Sequence, residues 1–420
     1  MAIPDRFLRL RSSQPYIKTE TTPGSFIVPV AGDAFTTTDP LALSQTFNTT
    51  DVSEVGTRLL QNRSFLNYAE RSTFDIPFLV KPSGSAGTAP AESDILQKMM
   101  GTLTTAGGTS NTYSFSRVAT TFQVAQIVDT FKLYVANGTV VEGFSLDIAR
   151  DGVFSMSANC RASRIRYSGP ATATGSDVSV GTGSAATATI TTATNAVASD
   201  YFFDTQQVVV YNSSDAIQNS GNPFTVSSVS TTGATLGLTS TSGTYTLTAG
   251  DYLVPHLVTP TLSSFEPISQ GDAQVFLAAQ NAATGTGSGE IFNASNSFLA
   301  TGFSLNVSKN LGDPGLNELT GNKFPSAAYV TNQVDITGSF DFIMRPAEAY
   351  RFEQFSRLEQ ISIGVQVGDT SGKIVRIAIP SARVSITGAD QDGAAAASVD
   401  FSLTQGSSAT DAAAFSLIYL

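Results

Sequence analysis

Two separated stretches of this chain run through the same series of structural signals, and that internal repeat constrains the fold more than any other feature. Residues 338–403 read GSFDFIMRP, then a short amphipathic segment, then strands that close on SVDFSL. Residues 72–160 open with STFDIPFLVKP, so Phe74-Asp75 answers Phe340-Asp341 and Lys81-Pro82 answers Arg345-Pro346. A helix is predicted after each opening, over residues 92–100 and 347–358. Each copy then closes with a strand, a turn and a strand, and both turns carry Asp-Gly, at Asp151-Gly152 and Asp392-Gly393. Asp-Gly adopts the positive backbone angles of a tight turn, which makes it a strong hairpin signal between alternating runs.

The alternation itself predicts a sheet covered on one face and wet on the other. Phe144, Leu146 and Ile148 share one face of the first hairpin, and Ser145, Asp147 and Ala149 the other. After the turn Phe154, Met156, Ala158 and Cys160 alternate with Ser155, Ser157, Asn159 and Arg161. In the second copy Ala397, Val399, Phe401 and Leu403 alternate with Ser398, Asp400, Ser402 and Thr404. In the first helix Ile95, Leu96, Met99, Met100 and Leu103 recur at helical spacing, a stripe suited to covering a sheet. Glu92 and Asp94 fall in its first turn, where the helix dipole favours acids. In the second helix Pro346 suits the first position, and Tyr350, Phe355 and Leu358 supply the apolar face.

With 420 residues the chain exceeds one ordinary core, so two or three domains are expected. Only 14% of residues are charged, 35 are Gly, and Ser/Thr/Ala/Gly runs separate short apolar strands, which favours a mainly β architecture. The single cysteine, Cys160, excludes an internal disulfide and reads as a small buried apolar residue. No stretch reaches the length of a membrane span, and no apolar core follows the N-terminal arginines as a secretory signal requires.

Five parts are expected along the chain. Residues 1–35, interrupted by Pro4, Pro15, Pro23 and Pro29, read as an extended arm without a core of its own. Residues 36–166 hold the first copy and open with a long polar hairpin or loop around 36–56. Residues 167–260 read as an inserted small all-β domain, with strands in TATITT, QQVVVYN, FTVSSVS, ATLGLTS and DYLVP. From Tyr167 to Ser308 there is no Lys or Arg but eight acids, most of the net charge of −11. Residues 261–299, rich in Ala, Gly, Ser and Asn, read as a linker, and residues 300–420 as the second copy.

Chemistry is hard to place on this chain. The only histidine, His256, has no second His and no cysteine cluster beside it for a usual zinc site. Nothing marks a nucleophile elbow for a Ser-His-Asp triad. Gly285, Gly287 and Gly289 lack the preceding strand and following Lys of a phosphate loop. Asp390 and Asp392 begin like a calcium loop whose twelfth position falls on Phe401 instead of Glu, so a hairpin turn explains them better. No catalytic residue, cofactor or metal is therefore assigned. Scattered basic residues and the acidic balance also argue against direct nucleic-acid binding.

The two copies resemble the tail tube fold of the major tail protein of long-tailed bacteriophages, a fold shared with contractile tails and type VI secretion tubes. The resemblance lies in the polar hairpin around 36–56, the strand before a short helix, and the terminal strands KIVRIAIPSARVSITG and SVDFSL. The middle segment DTQQVVVYNSSDAIQNSGNPFTVSSVSTTGATLGL is similar to small β domains that such phage proteins carry. The fold it implies is two tube-type β-sandwich or barrel domains, each with one short helix, plus the inserted all-β domain. Tube proteins usually form rings of six single-domain subunits. A duplicated domain then implies a homotrimer with pseudo-sixfold symmetry, stacked into a tube. The implied partners are further copies of the chain, the tape measure protein and DNA in the lumen, and terminator and tip proteins at the tube ends. The implied location is the virion, after synthesis in the host cytoplasm. The competing readings are an extracellular β-modular adhesin or receptor-binding protein, and a polysaccharide-acting enzyme for which no carboxylate pair stands out.

On this reading the wet faces of the hairpins line the channel. The candidates are Ser145, Asp147, Ser155, Ser157 and Asn159 in the first copy, and Ser385, Thr387, Ser398, Asp400 and Ser402 in the second. Arg161 and Arg383 fall on the same faces and need acidic neighbours if the wall is to stay free of positive charge. Ring stacking is assigned to the arm and the polar hairpin, with Arg6, Arg9, Arg11, Asp39, Asp51 and Glu54 as candidates.

Overall fold

The computed structural model describes residues 13–52, 63–312, 329–343, 357, 359–391, 394–403 and 415–420, with short gaps at 130, 150, 184, 193–195, 213, 215, 219–220, 241, 299 and 332. The protein is mainly β, with one α-helix among the described residues. The first part supplies β1 (Ser13–Thr19), β2 (Phe47–Val52), β3 (Arg63–Ala69), β4 (Ser72–Leu79), α1 (Ser93–Met100), β5 (Gly101–Ala106), β6 (Ser110–Phe115), β7 (Phe122–Val128), β8 (Lys132–Ala149), β9 (Ser155–Ala162) and β10 (Arg164–Ser168). The middle supplies β11 (Ala171–Thr174), β12 (Val178–Val180), β13 (Ala186–Ile190), β14 (Gln207–Tyr211), β15 (Phe224–Val229), β16 (Thr235–Ser240), β17 (Tyr245–Leu247) and β18 (Tyr252–His256). The last part supplies β19 (Gln274–Ala279), β20 (Ser297–Phe298), β21 (Ala300–Ser308), β22 (Leu311–Gly312), β23 (Val330–Thr331), β24 (Asp335–Ile343), β25 (Gln360–Val367), β26 (Val375–Gln391), β27 (Ala394–Leu403) and β28 (Ser416–Tyr419).

The first and last parts repeat one topology. Strand β9 lies between β4 and β8, β7 runs along the first half of β8, and β1 lies beyond β7. In the same way β27 lies between β24 and β26, β25 runs along the first half of β26, and β19 lies beyond β25. The hairpins β2–β3 and β22–β23 correspond, as do β10 and β28, which pair with the first halves of β8 and β26. Each long strand carries an extra residue at the same place, where the ladder shifts between Phe122 and Val124 and between Ile361 and Ile363. Counted from that shared bulge, Cys160 and Phe401 are equivalent, so Ile76 and not Phe74 answers Phe340. The sequence alignment of the opening strands is displaced by two residues. A shift of two leaves every side chain on its own face, so the alternation could not detect it.

Strand β21 joins the repeats by pairing with β8 on one side and β24 on the other, giving the continuous order β4-β9-β8-β21-β24-β27-β26. One face of this sheet is apolar and buried: Ile76, Phe144, Leu146, Met156, Leu305, Phe340 and Val399 all belong to a single core. Helix α1 covers it with Ile95, Leu96, Met99 and Met100, all fully buried. Burying each such side chain stabilises the fold by roughly 1.5–3 kcal/mol. The helix starts at Ser93, one residue later than the pattern suggests, with Glu92 at its N-cap, and ends at Met100, so Leu103 of the expected stripe falls in β5 instead. The second predicted helix lies almost wholly outside the described residues.

Three segments differ from their sequence reading. The arm expected over 1–35 contains β1, an edge strand with Tyr16 and Ile17 buried. Pro15 does not break it, because an edge strand tolerates a missing N–H. Residues 1–12 lie outside the described residues. The polar segment 36–56 does reach the core, since Leu41 and Leu43 are buried there. The linker expected over 261–299 holds β19, β20 and buried Ile291 and Phe292, all packed in the second repeat.

The inserted β domain is a closed barrel in the order β11-β13-β16-β15-β14-β18. Phe202, Val208, Phe224, Val226, Leu236 and Leu238 fill it. Its base is fixed to the sheet region through Phe203, whose ring lies 4.9 Å from Phe26 and 4.2 Å from the Arg166 guanidinium.

Candidate functional site

The polar face of the joined sheet gathers the candidate residues into cross-strand rows. One row runs Ser155, Asp147, Ser304, Ser339, Asp400, Ser385 across β9, β8, β21, β24, β27 and β26. The next row runs Ser157, Ser145, Asn306, Thr337, Ser402, Arg383. Asp147, Ser155, Asn159, Asp400 and Ser402 are exposed, and Ser145, Ser157, Ser385 and Ser398 are half-buried. Thr387 lies in β26 where its ladder to β27 shifts, and its side chain is outside the described residues. The structure thus places nine of the ten wall candidates on one continuous surface, with Asp147 and Asp400 in the same row.

Local hydrogen bonds organise this face. Ser304 Oγ and Ser339 Oγ are 2.8 Å apart, and Asn159 Nδ2 donates to Asp75 Oδ1 at 2.7 Å. Ser398 Oγ donates to Asp341. Arg161 is neutralised as the sequence reading requires, because its guanidinium pairs with Glu142, with Nε 3.1 Å from Oε2. A hollow of about 560 Å³ on the second repeat is lined by Ser304, Asn306, Arg383, Ser385, Asp400 and Ser402 among others. The β21 and β24 contributions were missed from the sequence. Their signal was available in ATGFSLNVS, where Phe303, Leu305 and Val307 alternate with Ser304, Asn306 and Ser308.

The stacking candidates are not brought together among the described residues. Asp39 is exposed in the segment beside β4, and Asp51 lies in β2 opposite Ser64. Arg6, Arg9, Arg11 and Glu54 lie outside the described residues.

Two buried ionisable groups mark where the repeats are fastened. Glu92 does more than begin a helix: its carboxylate accepts the Lys81 N–H at 3.1 Å and the Tyr419 hydroxyl at 2.7 Å. Burial raises its pKa to about 7, against the hydrogen bonds that lower it. Tyr419 belongs to β28, which pairs with β26 of the second repeat and β6 of the first. Lys309, at the end of β21, is fully buried with its amine 5.7 Å from the Phe115 ring, and burial lowers its pKa to about 8. His256, half-buried at the end of β18 in the barrel, has its pKa lowered by desolvation.

The chain matches no protein-family model and no curated protein. No helix among the described residues is long and apolar enough to cross a membrane.

Proposed function

We propose that this chain is a structural virion protein, a subunit whose rings stack into the hollow, non-contractile tail tube of a long-tailed bacteriophage. The observation that carries this reading is the single sheet running through both repeats, apolar towards the helix and polar along its rows from Ser155 to Ser385. A wall mostly of hydroxyls, amides and carboxylates, with Arg383 as an exposed cation at the end of one row, gives DNA little to hold, because affinity for phosphate comes chiefly from Lys and Arg. Three chains would supply six repeats to the ring, with the tape measure protein and then DNA inside it. Terminator and tip proteins would close its ends. The barrel would stand on the outside, where it need not contribute to the wall.

Negative-stain microscopy of the purified protein tests the reading. Rings or tubes are expected, and they are expected again when residues 171–256 are replaced by a short Gly/Ser linker. Discrete monomers that bind a glycan or receptor would favour the adhesin reading instead. Loss of polymerisation in a folded, barrel-less chain would show that the barrel is part of the ring.

A further inference from the structure

We propose that the junction between the two repeats of one chain recurs between chains: residues 37–46 of one copy become a strand on the edge of β26 that no described strand covers, residues 384–391, of the next. This rests on the ring reading above and names the two surfaces that would make the ring.

Residues 37–46 occupy the place in the first repeat that β21 occupies in the second. Each runs straight into a matched hairpin, β2 beginning at Phe47 and β22 at Leu311. Each lies antiparallel to a matched strand. The Thr38 N–H donates to the Pro77 carbonyl at 3.1 Å and the Glu70 N–H to the Thr46 carbonyl at 2.9 Å, while Gly302 faces Asp341. Counting back from the hairpins puts Leu41 at the place of Leu305 and Leu43 at that of Val307, and all four are buried. Ala42 is exposed, as is its counterpart Asn306. The segment has the side-chain alternation of a strand from Leu41 to Ser44, is held locally by a Leu43 N–H to Leu41 carbonyl bond, and among the described residues has a strand neighbour on one side only. In the second repeat the other side is filled, because β8 pairs with β21 from Gly143 to Ala149.

The missing neighbour must therefore resemble the second half of β8. Among the described strands one other has that design, β26, which nearly matches its length and shares its bulge and its place beside the closing strand. Strand β25 covers one edge of β26 as far as Arg383, and no described strand continues along that edge to Gln391. The two vacancies stand at opposite ends of one strand order, so a second copy of the chain satisfies each of them. Such a contact is head-to-tail and forms a closed ring when its rotation closes. It also removes exposed strand edges, which otherwise invite uncontrolled pairing. The barrel offers no competing edge, because it is closed. The register follows from the internal junction. Ser145 faces Asn306 within the chain, so Gly388 faces Ala42 and Ala389 faces Leu41 between chains.

Paired cysteines test this directly. Directly opposed residues on antiparallel strands lie within disulfide reach. Ser145→Cys with Asn306→Cys should cross-link within the chain and calibrates the method. Ala42→Cys with Gly388→Cys should give covalent multimers ending in one closed species, and either substitution alone should give none. Native Cys160 is buried and should not interfere. If the double variant does not fold, a photoreactive side chain at Ala42 alone should attach to residues 384–391 of another chain. Rings whose cross-links map elsewhere would overturn this junction and leave the ring reading standing. A protein that stays monomeric at high concentration and gives no cross-link would overturn both.

Discussion

The strands of the barrel return on themselves, with β18 pairing with both β11 and β14, so each has a neighbour on either side. Among the described residues the sheet that joins the repeats does not close, and stops at residues 37–46 on one side and at the second half of β26 on the other. The barrel is a finished object of short strands and its own core, whereas the sheet has a finished apolar side and unfinished margins. What the contrast teaches is where assembly can reside. A region whose strands each have a neighbour on both sides has little to offer a second copy, whereas a region with open edges can offer them.

The strongest way to break that contrast is to empty each core in turn. Phe144 and Phe224 are both fully buried, in the sheet and the barrel respectively. Removing such a ring costs about 3–5 kcal/mol. Phe144→Ala is expected to lower the sheet's unfolding midpoint in denaturant and, on the proposed function, to abolish assembly. Phe224→Ala is expected to melt the barrel while rings still form in micrographs. Assembly lost in both variants would mean that the two regions are not independent.

A second, smaller effect separates them by pH. Glu92 is protonated more readily in the folded chain than in the unfolded one, its pKa being about 7 against an ordinary 4.5. Its contribution is therefore fully present below about pH 4.5 and is lost as pH rises through 7, a change on the order of 3 kcal/mol. His256 has the opposite sign, because burial depresses its pKa and its contribution is lost as pH falls. Hydrogen exchange between pH 7 and pH 5 should show the sheet around β28 gaining protection while β18 loses it. Glu92→Gln should flatten the first trend and His256→Gln the second. Parallel trends in both regions would refute the assignment.

The smallest effect on folding is expected on the polar face. Asp147 and Asp400 are exposed, so changing both to Lys should alter stability by no more than about 0.5 kcal/mol. On the proposed function the double variant should still assemble, but it should slow DNA release from reconstituted particles. Release at the normal rate would remove these residues from the channel wall.

Much of this arrangement was legible because period two speaks plainly where one face is dry. The closing halves of the hairpins β8–β9 and β26–β27 and five of the six barrel strands were found at nearly their observed bounds, while β11 and the first half of β8 were not read. The same periodicity hid the two-residue slip between Phe74 and Ile76. Strand β19 was read as linker because Val275, Phe276, Leu277 and Ala278 are all buried, which leaves no alternation to recognise. Residues 37–46 were read as a polar loop because only Leu41 and Leu43 mark their inner face. The pairing of β21 with β8 could not be read at all, since no local pattern records which distant edge a strand will meet.

The barrel's attachment bears on how such a chain can find its fold. Strands β11 and β18 enter and leave the barrel side by side, with Ala171 opposite Leu253. The joining contacts are remote in sequence, Glu92 and Tyr419 being 327 positions apart. Contacts of that separation make folding slow, because the chain must be ordered over a long contour before they form. A barrel that closes early turns everything between its two ends into a short rigid link. The entropy this saves is modest, since each doubling of a flexible loop costs only about 0.6 kcal/mol. The same entropy sets the rate of encounter, so β8 and β21 meet a few-fold sooner on the shortened tether, and the time during which bare sheet edges stand open is cut by that factor.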